Sequence, residues 1–430
     1  MRVTGIICEY NPFHNGHKYH IEETRRICEA DYIIGIMSGP FTQRGTPAIT
    51  DKYSRAKMAL LSGCDIVLEL PVRFATSSAE GFAHGAVNIL NATGITDGIC
   101  FGTEAGILDD FRKVAEIIDT EPHLYKEILL SSLKNGLSYP TARSRALSGF
   151  LKTEHIPLSA DISLPNNILA IEYIRACNHA GLNVHTVKRT DNGYHDLRLS
   201  DMESGMCSAS ALRNAVIQNA GSGNHISKNT AFHTIAFDNT IVSESSVSAF
   251  IPYNLYEYLS RPVSERHFSM QLYASIVSHM NSLPDYADIS NDLAARIRKN
   301  ITAFEDWAQF VSLLKTKQYT YTRIQRALSH CMLNIKNFMY ETDKYKAPYI
   351  RVLGFRKSSS PLMKLLSQKA AAPVVTKPAD VNSLNAVSDS YAKTLLSEDI
   401  YASELYEKTR SFTYEYNNQY NEFTHGMVIE

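Results

Sequence analysis

The chain has few cysteines, a single tryptophan and no long apolar run. Its seven cysteines (Cys8, Cys28, Cys64, Cys100, Cys177, Cys207 and Cys331) are odd in number, scattered and form no CxxC pair. That argues against a disulfide framework and gives no zinc-site spacing, so neither a protein-held metal nor a disulfide-linked partner is expected. No uninterrupted apolar stretch approaches the roughly 20 residues a membrane span needs. The opening Met-Arg-Val-Thr-Gly meets a charge and a turn too early for a signal peptide, so a cytoplasmic location away from membranes is expected. What the chain does have is 44% hydrophobic and 20% charged residues over 430 positions, the balance of a folded protein with a real core. That length predicts two or three domains.

Net charge is almost absent at −1, but it is unevenly spread. Residues 291–370 carry 15 Lys and Arg against 5 Asp and Glu, whereas residues 371–430 carry 4 against 9. A basic block of this kind is either a set of solvated helix faces or a surface for a polyanion.

The first 220 residues alternate short Ile- and Val-rich runs with stretches of helical spacing. Val3–Cys8, Tyr32–Met37, Ile66–Leu70, Gly98–Phe101 and Asn183–Val187 read as strands. His17–Ala30, Lys52–Leu61, Ala79–Leu90, Leu108–Thr120 and Asn167–His179 read as helices between them. This alternation predicts an α/β fold with a parallel sheet covered on both faces. Past the Gly221-Ser222-Gly223-Asn224 turn the strand signal fades. The remainder reads as helices at 254–260, 270–282, 293–307, 322–338 and 361–368. A boundary near 220 then divides a catalytic domain, 1–220, from a mainly helical one, 221–430.

The first strand runs into Glu9-Tyr10-Asn11-Pro12-Phe13-His14-Asn15-Gly16-His17. The spacing His-x-Gly-His places two imidazoles at the opening of a helix, with a glycine that lets a ligand come close to the backbone. The helix N-terminus adds unpaired N–H groups and partial positive charge. Such a site suits the α-phosphate of a nucleotide while pyrophosphate is displaced, a reaction that needs positioning and charge stabilisation rather than a covalent intermediate. Ser208-Ala209-Ser210-Ala211-Leu212-Arg213 reads as a second helix start whose hydroxyls and guanidinium reach phosphate oxygens. Gly102 follows a strand and would form a backbone wall for adenosine, and Lys188 and Arg189 offer cations. The segment Ser38–Gly45 is too long and polar for an idle turn and is expected to border the site.

The string GIICEYNPFHNGHKYH resembles the start of the bacterial tRNA(Met) cytidine acetate ligases, members of the HIGH-motif nucleotidyltransferase-like superfamily. MSGPFTQRGTPA, KMALLSGCDIVLELP, FGTE, SLPNNILAIEYI, VKRTDNGYHD, SASALR, YTYTRIQRALSH and YIRVLGF resemble further blocks of that family, in family order. The resemblance implies a Rossmann-like, doubly wound parallel sheet followed by a mainly helical C-terminal domain. It implies ATP as substrate, with Mg2+ expected beside it, and activation of acetate as acetyladenylate. The acetyl group would pass to N4 of the wobble cytidine of elongator tRNA(Met). It places ATP against Ile7, Cys8, Glu9, Tyr10, Asn11, Pro12, Phe13, His14, Asn15, Gly16, His17, Lys18, Tyr19 and His20. Gly102, Asn166 and Arg189 belong to the same set, with Asn167 and Lys188 as neighbours and His14 and His17 at the reacting phosphate. Lys315, Lys317, Arg323 and Arg326, interleaved with Tyr319 and Tyr321, are the expected tRNA contacts: cations for phosphates, rings for unpaired bases.

Two other readings stay open from the residues alone. One is an adenylyltransferase of coenzyme biosynthesis, which shares His-x-Gly-His but is much shorter. The other is a non-catalytic RNA-binding protein on a nucleotidyltransferase fold, against which the intact His14, Gly16, His17, Ser208, Ser210 and Arg213 argue.

Overall fold

A computed structural model describes residues 1–104, 106–189, 208–222, 248–252, 255–337, 345–379 and 390–430. Thr190, Cys207, the 191–196 part of the VKRTDNGYHD block and Gly223-Asn224 lie outside the described residues. Five strands form where the apolar runs predict them: β1 (Val3–Cys8), β2 (Tyr32–Ser38), β3 (Ile66–Leu70), β4 (Gly98–Thr103) and β5 (Asn183–Lys188). They pair in parallel in the order β5-β4-β1-β2-β3. β1, β2 and β3 are buried along nearly their whole length, and only β5, at the edge, is largely half-exposed. Side chains alternate between faces with the period of two that a strand imposes. Ile33 and Met37 join one core, while Ile34 and Ile36 join the other.

The helices wind on both sides. On one face lie α1 (Asn15–Ile27) and α2 (Lys52–Leu61). On the other, after the short α3 (Val72–Ala75), lie α4 (Ala79–Ala92), α5 (Leu108–Thr120), α6 (His123–Lys134), α7 (Tyr139–Thr153) and α8 (Pro165–Ala180). The helix α9 (Ala209–Ser222) packs Leu212, Ala215 and Val216 back on the α1 side. The pair α6–α7 was not anticipated, because its buried positions are sparse: Tyr125, Leu129, Ala142, Ala146, Leu147, Phe150 and Leu151 against mostly exposed neighbours.

The sheet does not stop at residue 220. β6 (Ile350–Phe355) lies antiparallel on the free edge of β3, and β7 (Val374–Val375) and β8 (Val428–Ile429) pair in parallel with β6. The boundary drawn near 220 therefore does not separate the sheet from the rest, and the second half is not helical throughout. The reason is physical: β3 is buried on both faces and needs a hydrogen-bonding partner along its outer edge, and the apolar Tyr-Ile-Arg-Val-Leu-Gly-Phe supplies one.

The remaining elements build a separate helical layer from α10 (Ser269–Ser278), α11 (Asn291–Asn300), α12 (Trp307–Leu314) and α13 (Tyr321–Met332) around the fully buried Trp307. The single helix expected over 293–307 is two: the chain turns through Ile301–Ala303, and Asp306 caps α12 by accepting from the Gln309 amide at 2.8 Å. The segment expected as a helix at 254–260 is a 3-10 turn, Leu255–Leu259. After α14 (Ser360–Lys369), the long α15 (Ser390–Thr413) ties the layers together, with Leu395 in the sheet core and Tyr406 in the helical core.

A buried charge network fastens the C-terminal segment to the sheet. Lys52 Nζ donates to Glu69 at 2.9 Å, to Glu422 at 2.6 Å and to the Ser403 hydroxyl at 2.9 Å. Arg351 Nη2 donates to Glu422 at 3.2 Å and to the Tyr53 hydroxyl at 3.1 Å. Two cations face two carboxylates, all 2% exposed or less.

Candidate functional site

A cavity of about 280 Å3 opens over the carboxyl ends of β1, β2, β4 and β5. It sits where ligands collect in open α/β sheets, beside the strand from which the chain winds in opposite directions. The loop after β1 and the first turn of α1 form its floor.

His14 is the N-cap of α1, with extended backbone. Its Nδ1 accepts the Gly16 amide at 3.1 Å, and His17 Nδ1 accepts the His14 amide at 3.3 Å, a reciprocal capping box made of two imidazoles. An Nδ1 that accepts leaves the ring proton on Nε2, so both rings carry an Nε2–H donor. The rings stack with centroids 3.8 Å apart, and Tyr10 and Phe13 pack against His17 at 5.0 and 5.5 Å. Burial holds the His17 pKa well below the usual histidine range, helped by His14, Arg189 and His20. Burial and Arg189 bring His20 down to about 4. Neutral donors, already oriented by the backbone, are what a developing negative charge on phosphate requires.

These shifts fix the sign of an acid response. The unfolded chain takes up protons at His17 and His20 as pH falls through roughly 6.5, while the folded chain refuses them until lower pH. Stability is therefore lost as pH falls below roughly 6.5, down to about pH 4 for His20, each histidine adding up to one proton to the unfolding slope. Urea titrations across this range should show a shallower loss in His20→Gln; an identical slope would mean that His20 is not buried as the neutral form.

Along the wall, Gly102 on β4 lies under the Arg189 side chain: a Cβ there would sit 3.3 Å from Arg189 Cγ. Asn166, at the start of α8, donates to Glu104 at 2.7 Å, which fixes its amide. Ser208 caps α9 by accepting the Ala211 amide at 3.1 Å. Arg213 donates to the Asn11 carbonyl at 2.6 Å and to Ser210 Oγ at 2.9 Å, so the second motif closes onto the loop that carries the first. Ile7, Cys8, Glu9, Tyr10, Asn11, Gly16, Tyr19, His20 and Lys188 also face the cavity. Pro12, Phe13, Asn15 and Lys18 do not line it. Phe13 is core, Asn15 bonds the Phe250 and Ala249 carbonyls, and Lys18 reaches Glu22 at 3.9 Å. Asn167 is fully buried behind the wall and donates to the Asp161 carbonyl.

The segment after β2 does border the cavity, through Thr42, Gln43, Arg44 and Thr46. It is a tight hairpin, closed by a Phe41–Pro47 bridge and by the Thr42 amide on the Thr46 carbonyl at 2.9 Å. Gly45 at its tip has φ +78° and packs on α13, where an added Cβ would lie 2.7 Å from Arg326 Cα. Helix backbone cannot step aside, so Gly45→Ala should cost about 1–3 kcal/mol in chemical denaturation. A variant as stable as wild type would show that the hairpin is not clamped. The Ser329 hydroxyl, on the same helix, donates to the Gly45 carbonyl.

Sequence reasoning missed Arg55. Its fully buried guanidinium donates to the carbonyls of Glu9 (2.7 Å), Ser38 (3.0 Å) and Gly39, and its Nε to that of Thr50 (3.1 Å). One side chain thus ties the loop after β1 to the loop after β2. The signal was there: an arginine on the apolar face of Lys52–Leu61, one residue before the buried Ala56.

The expected RNA contacts divide. Lys315 and Lys317 are exposed. Arg323 is half-buried over the Tyr319 ring at 5.0 Å, and Arg326 pairs with Asp288 at 3.2 Å. Tyr319 is buried and bonds Ser290 at 2.6 Å, so it is not a free stacking platform.

The family model for HIGH nucleotidyl transferases matches residues 1–421. A tRNA(Met) cytidine acetate ligase of Clostridium perfringens (strain SM101) is 37% identical over 413 residues, 94% of this chain and 95% of that one. One from Thermoanaerobacter sp. (strain X514) is 36% identical over 404 residues, 93% and 95% of the two chains. The solved structure of Thermotoga maritima TmcAL without ligand is 28% identical and superposes with a TM-score of 0.86 over 100% of this chain and 99% of that one. The same protein bound with alpha-thio ATP gives 0.85 at 29% identity, again over 100% and 99%. The chain belongs to the HIGH nucleotidyl transferase family and, within it, to the tRNA(Met) cytidine acetate ligases.

Proposed function

We propose that this protein joins acetate to tRNA(Met) at the expense of ATP, acetylating N4 of the wobble cytidine of the elongator species. The observation that carries the reading is the stacked, neutral His14–His17 pair at the opening of α1, in a chain this similar to the acetate ligases. An acetate oxygen attacks the α-phosphorus, pyrophosphate leaves, and the two Nε2–H donors and the α1 N-terminus stabilise the charge that gathers on the α-phosphate oxygens. Arg189, Lys188, Ser210 and Arg213 draw the polyphosphate to one side, and Gly102 and Asn166 bound the nucleoside. The cytidine amine then attacks the acetyl carbon and AMP departs.

Mg2+ would accompany the phosphates rather than rest on protein ligands. Among the described residues no three His, Cys, Asp or Glu side chains stand together as a metal site. The tRNA approaches from the helical layer, where Lys315 and Lys317 offer exposed charge and Arg323 and Arg326 lie along α13. No helix among the described residues is long and apolar enough to cross a membrane, and we place the enzyme in the cytoplasm. The test is acetate-dependent exchange of labelled pyrophosphate into ATP, followed by mass spectrometry of tRNA incubated with ATP and acetate. One added acetyl group on the wobble cytidine is expected. Exchange that ignores acetate, or an unmodified tRNA, would sink the reading.

A further inference from the structure

Among the described residues that line the cavity there is one carboxylate, Glu9. It follows β1 directly, and its surroundings hold it still. Glu9 Oε1 accepts the Gln43 amide at 2.6 Å, and its backbone carbonyl accepts from the buried Arg55 at 2.7 Å. Among the described residues no hydrogen bond reaches Oε2. The carboxylate is half-buried, between the histidine pair on α1 and the hairpin after β2. That hairpin packs on α13.

A carboxylate repels the phosphates that the histidines and arginines collect, so Glu9 is not a phosphate contact. It is well matched to the acceptor. The exocyclic N4 group of cytosine is a hydrogen-bond donor, and a carboxylate is the side chain that accepts from it. That amine is also a weak nucleophile, because its lone pair is delocalised into the ring, so it needs to lose a proton as it attacks. We infer that Glu9 is a catalytic residue of the transfer step: it reads the cytosine amine through Oε2 and takes its proton. The inference rests on the reading under Proposed function.

The step balances. The N4 lone pair adds to the acetyl carbonyl carbon, a C–N bond forms, and one N–H proton passes to Glu9 Oε2. The tetrahedral intermediate collapses with cleavage of the bond between the acetyl carbon and the phosphate oxygen. AMP leaves with that electron pair, and Glu9 returns its proton to solvent. Uracil presents a carbonyl oxygen in place of the amine and would face Oε2 as a second acceptor. Glu9 therefore also explains why a cytidine is taken.

The experiment compares two rates in the same preparation of the full-length protein. One is acetate-dependent pyrophosphate exchange; the other is single-turnover acetyl transfer from preformed acetyladenylate to unmodified elongator tRNA(Met). Glu9→Gln keeps an oxygen for the Gln43 amide but cannot accept a proton. The ratio of transfer to exchange should fall by about 10²-fold or more, within the usual range for a lost general base. Glu9→Asp, which keeps a base at a longer reach, should recover part of it.

A Glu9→Gln protein that lowers exchange and transfer equally, or lowers neither, would overturn the role. A wild-type protein that exchanges pyrophosphate but never acetylates tRNA would instead refute the RNA reading.

Discussion

His17→Ala should reduce acetate-dependent pyrophosphate exchange by about 10²-fold or more, the loss seen when one preorganised donor to a developing oxyanion is removed. The donor is the Nε2–H that the His14 amide fixes by occupying Nδ1 at 3.3 Å. The effect should fall on turnover more than on the ATP concentration for half-maximal exchange, because the contact strengthens as charge builds on phosphate. The protein should remain folded: the substitution removes one half of a capping box, a loss of about 1 kcal/mol in a domain with three buried cores. His17→Gln, which can return an amide N–H near the Nε2 position, should recover part of the rate. A folded His17→Ala protein with normal exchange would leave the histidine pair as a helix cap and nothing more.

Glu422→Ala should be among the most damaging single changes to stability, although it lies eight residues before Glu430 and far along the chain from the His-x-Gly-His motif. It takes from Lys52 its 2.6 Å partner and from Arg351 its only hydrogen-bonded carboxylate among the described residues, and leaves Glu69 as the carboxylate paired to both buried cations. Breaking a buried ion pair from one side costs about 3–5 kcal/mol, because the surviving charge stays desolvated. Burial works against the Lys52 charge, and Glu422, then Glu69 and Tyr53, keep its pKa above the usual lysine range. Urea denaturation should show the midpoint falling with little change in slope. The double change Lys52→Met with Glu422→Leu should recover much of the loss. A Glu422→Ala protein of wild-type stability would mean that water reaches the network.

The catalytic half was legible because its signals are local. Val3–Cys8 and Tyr32–Ser38 are apolar runs with nothing to compete against a buried parallel strand, and His-x-Gly-His opens a helix because His14 can cap it through its own ring. The stretch from Ile7 to His20 runs along the cavity but does not line it continuously. A helix turns 100° per residue, so Asn15 and Lys18 point away while Gly16, His17, Tyr19 and His20 face the cavity. What the sequence hid depends on long-range pairing. Arg55 and Glu69 look like errors in apolar elements until their partners, four carbonyls in one case and Lys52 in the other, are brought in from elsewhere. Likewise β6 is six residues in a basic, helix-rich region, and only the open edge of β3 makes it a strand.

That edge has a history within each molecule's synthesis. β3 ends at Leu70 and its neighbour β6 ends at Phe355, so roughly 280 residues must leave the ribosome between them. At about 5–20 residues per second the β3 edge waits roughly 15–60 s with its amides and carbonyls unpaired. Its sequence, Ile-Val-Leu-Glu-Leu, is one that other nascent chains could extend. Glu69, fourth of those five residues, then has Lys52 made before it but neither Arg351 nor Glu422, and a charge within the strand interrupts cross-chain pairing. The buried carboxylate that fastens the C-terminus thus guards the strand before the C-terminus exists.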